Sequence, residues 1–180
     1  MLIKILIGVA VLVVAFIVFV ASRPDNFRVT RSATVPAPAA MVFEQVNDLH
    51  KFQDWSPWAK MDPNCKLTFD GPPAGVGASF AWAGNKQVGE GRMTVIESKP
   101  GELVRFRLEF LKPFKATNTA ELTFKSADSQ TDVTWSMFGK NNFMFKAVSL
   151  FMDCDKMVGP DFERGLANLK AVVAKQQERL

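Results

Sequence analysis

The only histidine of this 180-residue chain, His50, stands close to Asp54 in a segment that predicts a short helix. A histidine acts as a general base only when a partner orients it and a substrate proton lies within reach. A lone histidine near a helix end is more often a surface or capping residue. His50 and Asp54 are therefore only weak candidates for catalysis.

A second polar pair, Glu90 and Arg92, lies in the stretch "GEGRM". Residues two apart on a strand point to the same side of a sheet. Inside a cavity the pair would orient the polar end of a ligand, and Glu90 would be a third weak candidate for acid–base chemistry. On the solvent side it would contribute little to stability. Met93 and Val95 fall on the opposite side and have core character, which favours the outward orientation.

Several common activities depend on residue groups that the sequence lacks. One histidine without a dense carboxylate cluster predicts no metal site, and we expect no cofactor. There is no GxSxG motif to support a hydrolase. The glycines of "GPPAGVGASF" precede a predicted strand and no lysine–serine pair, unlike a phosphate-binding loop. The basic residues are scattered and the formal net charge is only +4, so we expect no nucleic-acid partner.

The two cysteines, Cys65 and Cys154, lie far apart in the sequence and belong to no CxxC motif. Two isolated cysteines do not form a disulfide framework. We expect two free thiols, although the sequence leaves their redox state open.

Residues 1–22 form a segment distinct from the folded domain expected over residues 23–180. The run from Ile5 to Ala21 is unbroken and apolar, and residues 2–21 together have about the 20 residues needed to cross a bilayer. We expect a single-pass anchor that contacts the membrane through residues 2–21. The alternative is a secretory signal peptide with Val20-Ala21-Ser22 as a small-residue cleavage site. Nearby charges do not decide the orientation; we expect the domain outside the cytoplasm, as is common after an N-terminal span.

Alternation of apolar and polar residues predicts the strands. Asn26–Pro36 forms the first, and two short helices follow, one from about Pro38 and one near Leu49–Asp54. From Lys66 onward six further segments alternate in the same way, most clearly "ELVRFRLEFL". This pattern predicts an antiparallel sheet with one apolar face and one face in water.

The apolar spacing becomes helical from Asn142 to about Gln177, with Phe151 among the apolar positions, and this region would cover the apolar face of the sheet. Because proline lacks a backbone donor and clashes with the preceding turn, we expect a break or kink at Gly159-Pro160, with Pro160 opening the main helix. At the preceding junction three residues could border a cavity mouth or touch a membrane: Phe143, Met144 and Phe145.

This order of elements resembles the START-like (SRPBCC) superfamily, and more narrowly its bacterial polyketide cyclase/dehydrase-type members. The stretches that carry the resemblance are "VPAPAAMVFEQVNDLHKFQDWSPW", "GVGASFAWAGN", "GEGRMTVIESKPGELVRFRLEF" and "CDKMVGPDFERGLANLK". It extends from about Phe27 to Ala174. It implies an α+β helix-grip fold, in which a curved antiparallel sheet of about seven strands wraps around a long C-terminal helix. It also implies a deep cavity between them for an apolar or aromatic ligand.

Within that resemblance, the segment around "DWSPW" crosses the region of the cavity. Pro57 stiffens the bend, and Trp55 and Trp58 can insert two large, rigid apolar surfaces. Two interpretations stay open: the two side chains plug the end of the core, or at least one of them lines a ligand pocket.

The resemblance also implies which residues would contact a ligand. The aromatic and methionine side chains expected around the cavity are Trp55, Trp58, Phe80, Trp82, Met93, Phe106, Phe110, Trp135, Met137, Met157 and Phe162. The chain has no tyrosine, so such a wall offers few hydrogen-bond donors besides the indole N–H groups. That composition favours a lipid, quinone-like or polyketide-like ligand over a sugar or nucleotide.

We therefore expect a membrane-tethered, non-catalytic domain that binds a hydrophobic small molecule or lipid. Two alternatives remain. One is a cyclase or hydratase-like enzyme that uses the same cavity, and the other is an interaction domain with a fully packed interior and no ligand. Folds of this kind host many functions, so the fold alone does not choose among them.

Overall fold

The computed structural model describes residues 2–141, 143–150 and 153–179. The elements follow in the order α1 (Leu2–Ala21), β1 (Asn26–Val35), α2 (Ala39–Asn47), α3 (Leu49–Trp55), β2 (Lys66–Asp70), β3 (Ser79–Ala83), β4 (Glu90–Lys99), β5 (Leu103–Lys112), β6 (Ala116–Ala127), β7 (Gln130–Lys140), α4 (Phe143–Val148) and α5 (Cys154–Gln177). This order confirms the predicted strand, two short helices, six strands and long helix.

The seven strands form one antiparallel sheet in the order β1-β7-β6-β5-β4-β3-β2. Successive strands from β2 to β7 pair with their neighbours in sequence, as hairpins do. The first strand instead pairs with the last, from Asn26 opposite Lys140 to Val35 opposite Thr131. The curved antiparallel sheet and the long C-terminal helix are those of the helix-grip fold.

The sheet has an apolar inner face and a polar outer face, because side chains alternate along each strand. One row of paired inner residues runs through Val29, Met137, Ala120, Phe106 and Val95, all of them buried. Glu90 and Arg92 lie on the outer face, opposite the buried side of Gly91 and Met93. The outward orientation that Met93 and Val95 favoured in the sequence is the one observed.

Helices α2, α3 and α5 cover the inner face. The inner side of α5 consists of Phe162, Leu166, Leu169 and Val173, all buried. Two hydrogen bonds fix the helices to one another: Gln45 Nε2 donates to Gln176 Oε1 at 2.7 Å, and Asn168 Nδ2 donates to the Trp55 carbonyl at 3.1 Å. The Asp48 carboxylate accepts the His50 N–H and so caps the start of α3.

The expectation that Pro160 opens the main helix is wrong, because α5 runs without interruption from Cys154 to Gln177 with Pro160 inside it. The Arg31 guanidinium of β1 binds α5 on both sides of the proline. Its Nη1 and Nη2 donate to Asp155 at 2.8 and 2.9 Å, and its Nε donates to Glu163 at 2.7 Å. Ion pairs on both sides of the proline, together with the buried Phe162, outweigh the lost backbone hydrogen bond.

The helical region after β7 is interrupted before α5. Helix α4 ends at Val148, and Asp153 starts α5 as its N-cap by accepting the Asp155 N–H at 3.0 Å. Two residues that the sequence pattern assigned to this region, Asn142 and Phe151, lie outside the described residues.

Helix α1 is apolar except for Lys4 and is exposed along nearly its whole length. Within the described residues it is the one helix long and apolar enough to cross a membrane. Its last turn contacts α4, where Lys146 Nζ donates to the Ala21 carbonyl at 3.1 Å and pairs with Asp25. Residues 22–25 then lead into β1. We call the end of the sheet where β1 begins the α1 end, and the opposite end the far end.

Candidate functional site

A cluster of aromatic rings fills the middle of the space between the sheet and α5. The rings of Trp135 and Phe162 stack with centroids 4.2 Å apart and an angle of 4° between them. Phe52 lies 6.1 Å from Phe106 and 4.6 Å from Trp55, measured between ring centroids. All five side chains are buried. This part of the interior is packed core, without the free space that a ligand needs.

The two tryptophans around Pro57 have different environments. Trp55 is fully buried, and its Nε1 donates to the Gln45 carbonyl at 2.9 Å. Trp58 is half-buried and meets Trp135 and Phe162 edge-on, with centroids 5.8 and 6.3 Å away. Trp55 therefore closes the core, whereas Trp58 covers the stacked pair on one side and reaches solvent on the other.

Nearer the α1 end, the inner face of the sheet is only half covered. Four apolar residues there are half-exposed, and we call them the open aromatic surface: Phe27, Trp82, Leu108 and Phe110. The Trp82 and Phe110 rings meet edge-on across β4, with centroids 5.9 Å apart. Trp82 Nε1 donates to the Val88 carbonyl at 3.3 Å, which fixes the plane of the indole.

Two glycines make room for this surface. Gly91 lies between the strand positions of Trp82 and Phe110, and a Cβ on it would overlap the Trp82 indole. Gly139 pairs with Phe27, whose ring would lie 3.0 Å from a Cβ at that position. The Trp82 and Phe27 rings thus rest against bare backbone. The amide of Asn118, which also lies over Gly139, is the polar group beside it.

The residues predicted to bind ligand divide between the two regions. The buried members are Trp55, Phe80, Met93, Phe106, Trp135, Met137 and Phe162. The half-exposed members are Trp58, Trp82 and Phe110, and Met157 of α5 is 55% exposed. Phe27 and Leu108 were missed as site residues. Their strand alternation marked them as core, and only the register that places Phe27 beside Gly139 gives them their position on this surface.

Of the three weak catalytic candidates, His50 and Asp54 lie on α3, whereas Glu90 lies on β4. His50 is exposed and stacks on Phe69, with centroids 3.8 Å apart. Asp54 is exposed on α3. Glu90, on the outer face, accepts a hydrogen bond from Lys112 Nζ at 2.8 Å. No described contact joins any two of them, so this arrangement does not provide an acid–base pair.

Two cavities lie outside the core. The larger, of about 660 Å³, is an open groove lined by outer-face residues such as Arg28, Arg107 and Phe138, and its lining also includes Phe27 and Asn118. Arg28 lies over the Phe138 ring, 4.3 Å from its centroid, and pairs with Glu121 at 3.5 Å. The smaller, of about 90 Å³, lies beside His50 and Phe69. Neither lies between the sheet and α5.

Both cysteines are free thiols and half-buried. Burial raises the pKa of the Cys154 thiol, and Asp153 and Asp155 raise it further. Burial likewise raises the pKa of Cys65. Both thiols are therefore kept protonated and weakly nucleophilic. Across the described ranges, His, Cys, Asp and Glu do not come together in a group of three that could hold a metal ion.

Comparison with known proteins agrees with this fold. Similar solved structures include MLL2253 from Mesorhizobium loti (TM-score 0.61, 14% identity, 83% of this chain and 98% of that chain covered). Another is CV1439 from Chromobacterium violaceum (TM-score 0.57, 16% identity, 83% of this chain and 98% of that chain covered). A third is Ms6760 from Mycobacterium smegmatis (TM-score 0.58, 17% identity, 83% of this chain and 92% of that chain covered). At these identities the likeness shows the fold alone. No curated protein matches the sequence.

The family described as polyketide cyclase / dehydrase and lipid transport matches residues 26–174, which is nearly all of the chain after α1. The match includes the sheet, the covering helices and the open aromatic surface. Its helix-grip fold is that of a ligand-binding domain. The chain belongs to this polyketide cyclase / dehydrase and lipid transport family.

Proposed function

We propose that this protein binds a hydrophobic small molecule or lipid on the open aromatic surface, without catalysing a reaction on it. The observation that carries the proposal is the difference between the two regions of the inner face. Aromatic residues such as Trp135 and Phe162 are buried against α5, whereas Trp82 and Phe110 are half-exposed. Burial of apolar surface stabilises a complex by about 25 cal/mol per Å² removed from water, so such a surface favours an apolar partner.

The chemistry around the surface supports an apolar ligand over a polar one. Trp82 uses its indole N–H on the Val88 carbonyl, and the side-chain amide of Asn118 lies beside Phe27. A sugar or nucleotide needs several convergent donors and acceptors. The cyclase alternative would need an ionisable group at the surface, whereas the three candidates His50, Asp54 and Glu90 lie elsewhere. The family description includes lipid transport, which agrees with a binding role.

The proposal includes a membrane tether. Residues 1–22 would form the anchor and residues 23–180 the binding domain, held outside the cytoplasm. Support comes from the length and apolar character of Leu2–Ala21. A tether is useful for an apolar ligand because such molecules partition into the bilayer. The mass of the mature chain tests it: retention of residues 1–22 is expected, and a chain that lacks residues 1–22 would indicate a cleaved signal peptide instead.

Native mass spectrometry of the full chain, released gently from its own membrane into nanodiscs, tests ligand binding. We expect additional mass on the wild type that is lost in Phe110→Lys. A lysine at this half-exposed position can extend its amine to water, so the fold is kept while the surface is broken. Val76→Lys is the matched control, because it places the same charge at an exposed apolar position at the far end. The proposal is wrong if wild type and Phe110→Lys carry the same bound molecules.

A further inference from the structure

The two ends of the sheet differ in charge. Exposed cations at the α1 end, in its connecting segments or the adjacent strand ends, are Arg23, Lys60, Lys66, Lys86, Lys112, Lys115 and Lys140. At the far end, the connections 71–78, 100–102 and 128–129 contain Glu102 and Asp128 and neither lysine nor arginine, and the adjacent end of β4 carries Lys99, which pairs with Glu97. The connections and strand ends at the α1 end therefore carry more positive charge than those at the far end.

The acidic groups of the same α1-end segments are already engaged. Asp25 pairs with Lys146 beside the last turn of α1. Asp62 is buried and accepts the backbone N–H groups of Asn64 and Asn85 at 3.0 and 2.6 Å. Glu90 pairs with Lys112 at 2.8 Å, so these two charges offset each other. The outward-facing charge of this end is thus positive.

The turn between β5 and β6 lies at the α1 end. Strand pairing places Asn118 of β6 at the level of Phe27, since both pair with Gly139. Strand β6 begins two residues earlier, at Ala116, so the turn with Phe114 lies beyond the level of Asn26. Only residues 22–25 separate α1 from β1, and they span at most about 17 Å. The turn and the end of α1 therefore lie at the same end of the sheet.

The tip of this turn is apolar between two lysines. Phe114 is 68% exposed and Leu111 53% exposed, with Lys112 and Lys115 beside them. The turn between β3 and β4 packs against the β5–β6 turn. Gly89 lies so close to Lys112 that a Cβ on Gly89 would overlap the Lys112 carbonyl oxygen. Helix α4, which follows β7, contacts α1 and exposes Phe143 and Met144. Exposed aromatic residues flanked by cations are typical of segments at a membrane interface.

We propose that the β5–β6 turn, residues 111–115, docks on the surface of an anionic phospholipid bilayer, the same bilayer that α1 spans. Phe114 inserts at the level of the headgroups while Lys115 contacts lipid phosphates and Lys112 stays paired with Glu90. This inference rests on the proposed tether. Docking holds the α1 end, and with it the open aromatic surface, against the bilayer, so that an apolar molecule passes between lipid and protein with little exposure to water.

Photo-crosslinking in reconstituted vesicles tests the docking. The full chain carries benzoylphenylalanine in place of Phe114, or in place of Val76 as the control at the far end. Vesicles are phosphatidylcholine alone or an equal mixture with phosphatidylglycerol. We expect lipid adducts at position 114 and not at 76, with the yield higher in the anionic vesicles. Adding Lys115→Gln should lower the ratio of docked to free turn about 5-fold, from about 1 kcal/mol per lysine at an anionic surface.

Each outcome separates docking from tethering. A chain that floats with the vesicles but forms no more adduct at 114 than at 76 overturns the docking and leaves the tether intact. Equal yields at position 114 in both vesicle types overturn the preference for anionic lipid. A chain that does not float with vesicles overturns the tether itself, and with it this inference.

Discussion

At the scale of single residues, Arg31 is the side chain that ties the C-terminal helix to the sheet. It is the charged residue of the inner face of β1, and it binds carboxylates on both sides of Pro160. The sequence placed Arg31 on the face of β1 that also carries Phe27 and Val29, but it gave no partner. The partners lie on a helix more than a hundred residues later, and local patterns do not contain such pairings.

The ion pair predicts a pH dependence of stability. Arg31 lowers the pKa of the Asp155 carboxyl below its usual value, mainly through the hydrogen bond. A lowered folded-state pKa stabilises the fold above the unfolded pKa of about 4, and this contribution is lost as pH falls through the folded value. Asp155→Asn should therefore lower Tm at pH 7, and the difference from wild type should shrink below about pH 4.

Tryptophan fluorescence of the full chain in detergent reports the unfolding transition for this comparison. The matched control is Asp161→Asn, on the same helix, whose carboxylate pairs with Arg164 one turn away rather than with the sheet. A smaller decrease in Tm is expected there. A gap between wild type and Asp155→Asn that is constant from pH 7 to pH 3 would contradict the assignment.

Gly159 and Arg31 should show coupled effects. A Cβ at Gly159 would overlap the Arg31 guanidinium. Alanine in place of glycine normally stabilises a helix by about 1 kcal/mol. We expect Gly159→Ala to show that gain only in an Arg31→Ala background, and to lower the free energy of unfolding when Arg31 is present. Urea denaturation of the four variants measures the coupling; additive effects would mean that the two residues do not share this space.

At the scale of elements, the alternation of apolar and polar residues predicted all seven strands. Helical spacing of apolar residues predicted the two short helices that follow β1, α2 and α3. The one clear error lies in α5, where a local rule about proline was applied without knowledge of its partners. Proline costs about 3 kcal/mol in a helix interior. The long-range contacts of Arg31 and Phe162 outweigh that cost, and they are invisible in a window of neighbouring residues. The same limit explains why the end of α4 was not located from the sequence.

Pro160→Ala tests whether the helix tolerates its proline rather than needing it. Alanine restores the N–H donor for the Lys156 carbonyl, so the free energy of unfolding should rise by about 1–3 kcal/mol. Ala167→Gly, at an exposed position of the same helix, is the control and should lower it by about 1 kcal/mol. Both are read by urea denaturation. A less stable Pro160→Ala would show that a bend at the proline is required for packing on β1.

At the scale of the whole molecule, the inner face of the sheet has a sealed part and a half-open part. The resemblance implied a deep cavity between the sheet and the C-terminal helix, but the rings of Trp135 and Phe162 fill the centre of that space. Composition could indicate an oily interior, yet it could not tell which rings pack against each other and which stay accessible. The half-open part lies at the α1 end, where the chain meets its proposed membrane anchor.

The central claim is that an apolar molecule contacts Trp82 while the buried tryptophans stay out of reach. Because the chain has four tryptophans and no tyrosine, fluorescence quenching by a brominated fatty acid reports this contact directly. The account predicts saturable quenching of the full chain that is largely lost in Trp82→Phe and retained in Trp55→Phe. Quenching that is equal in the two variants, or unchanged by Phe110→Lys, would contradict it.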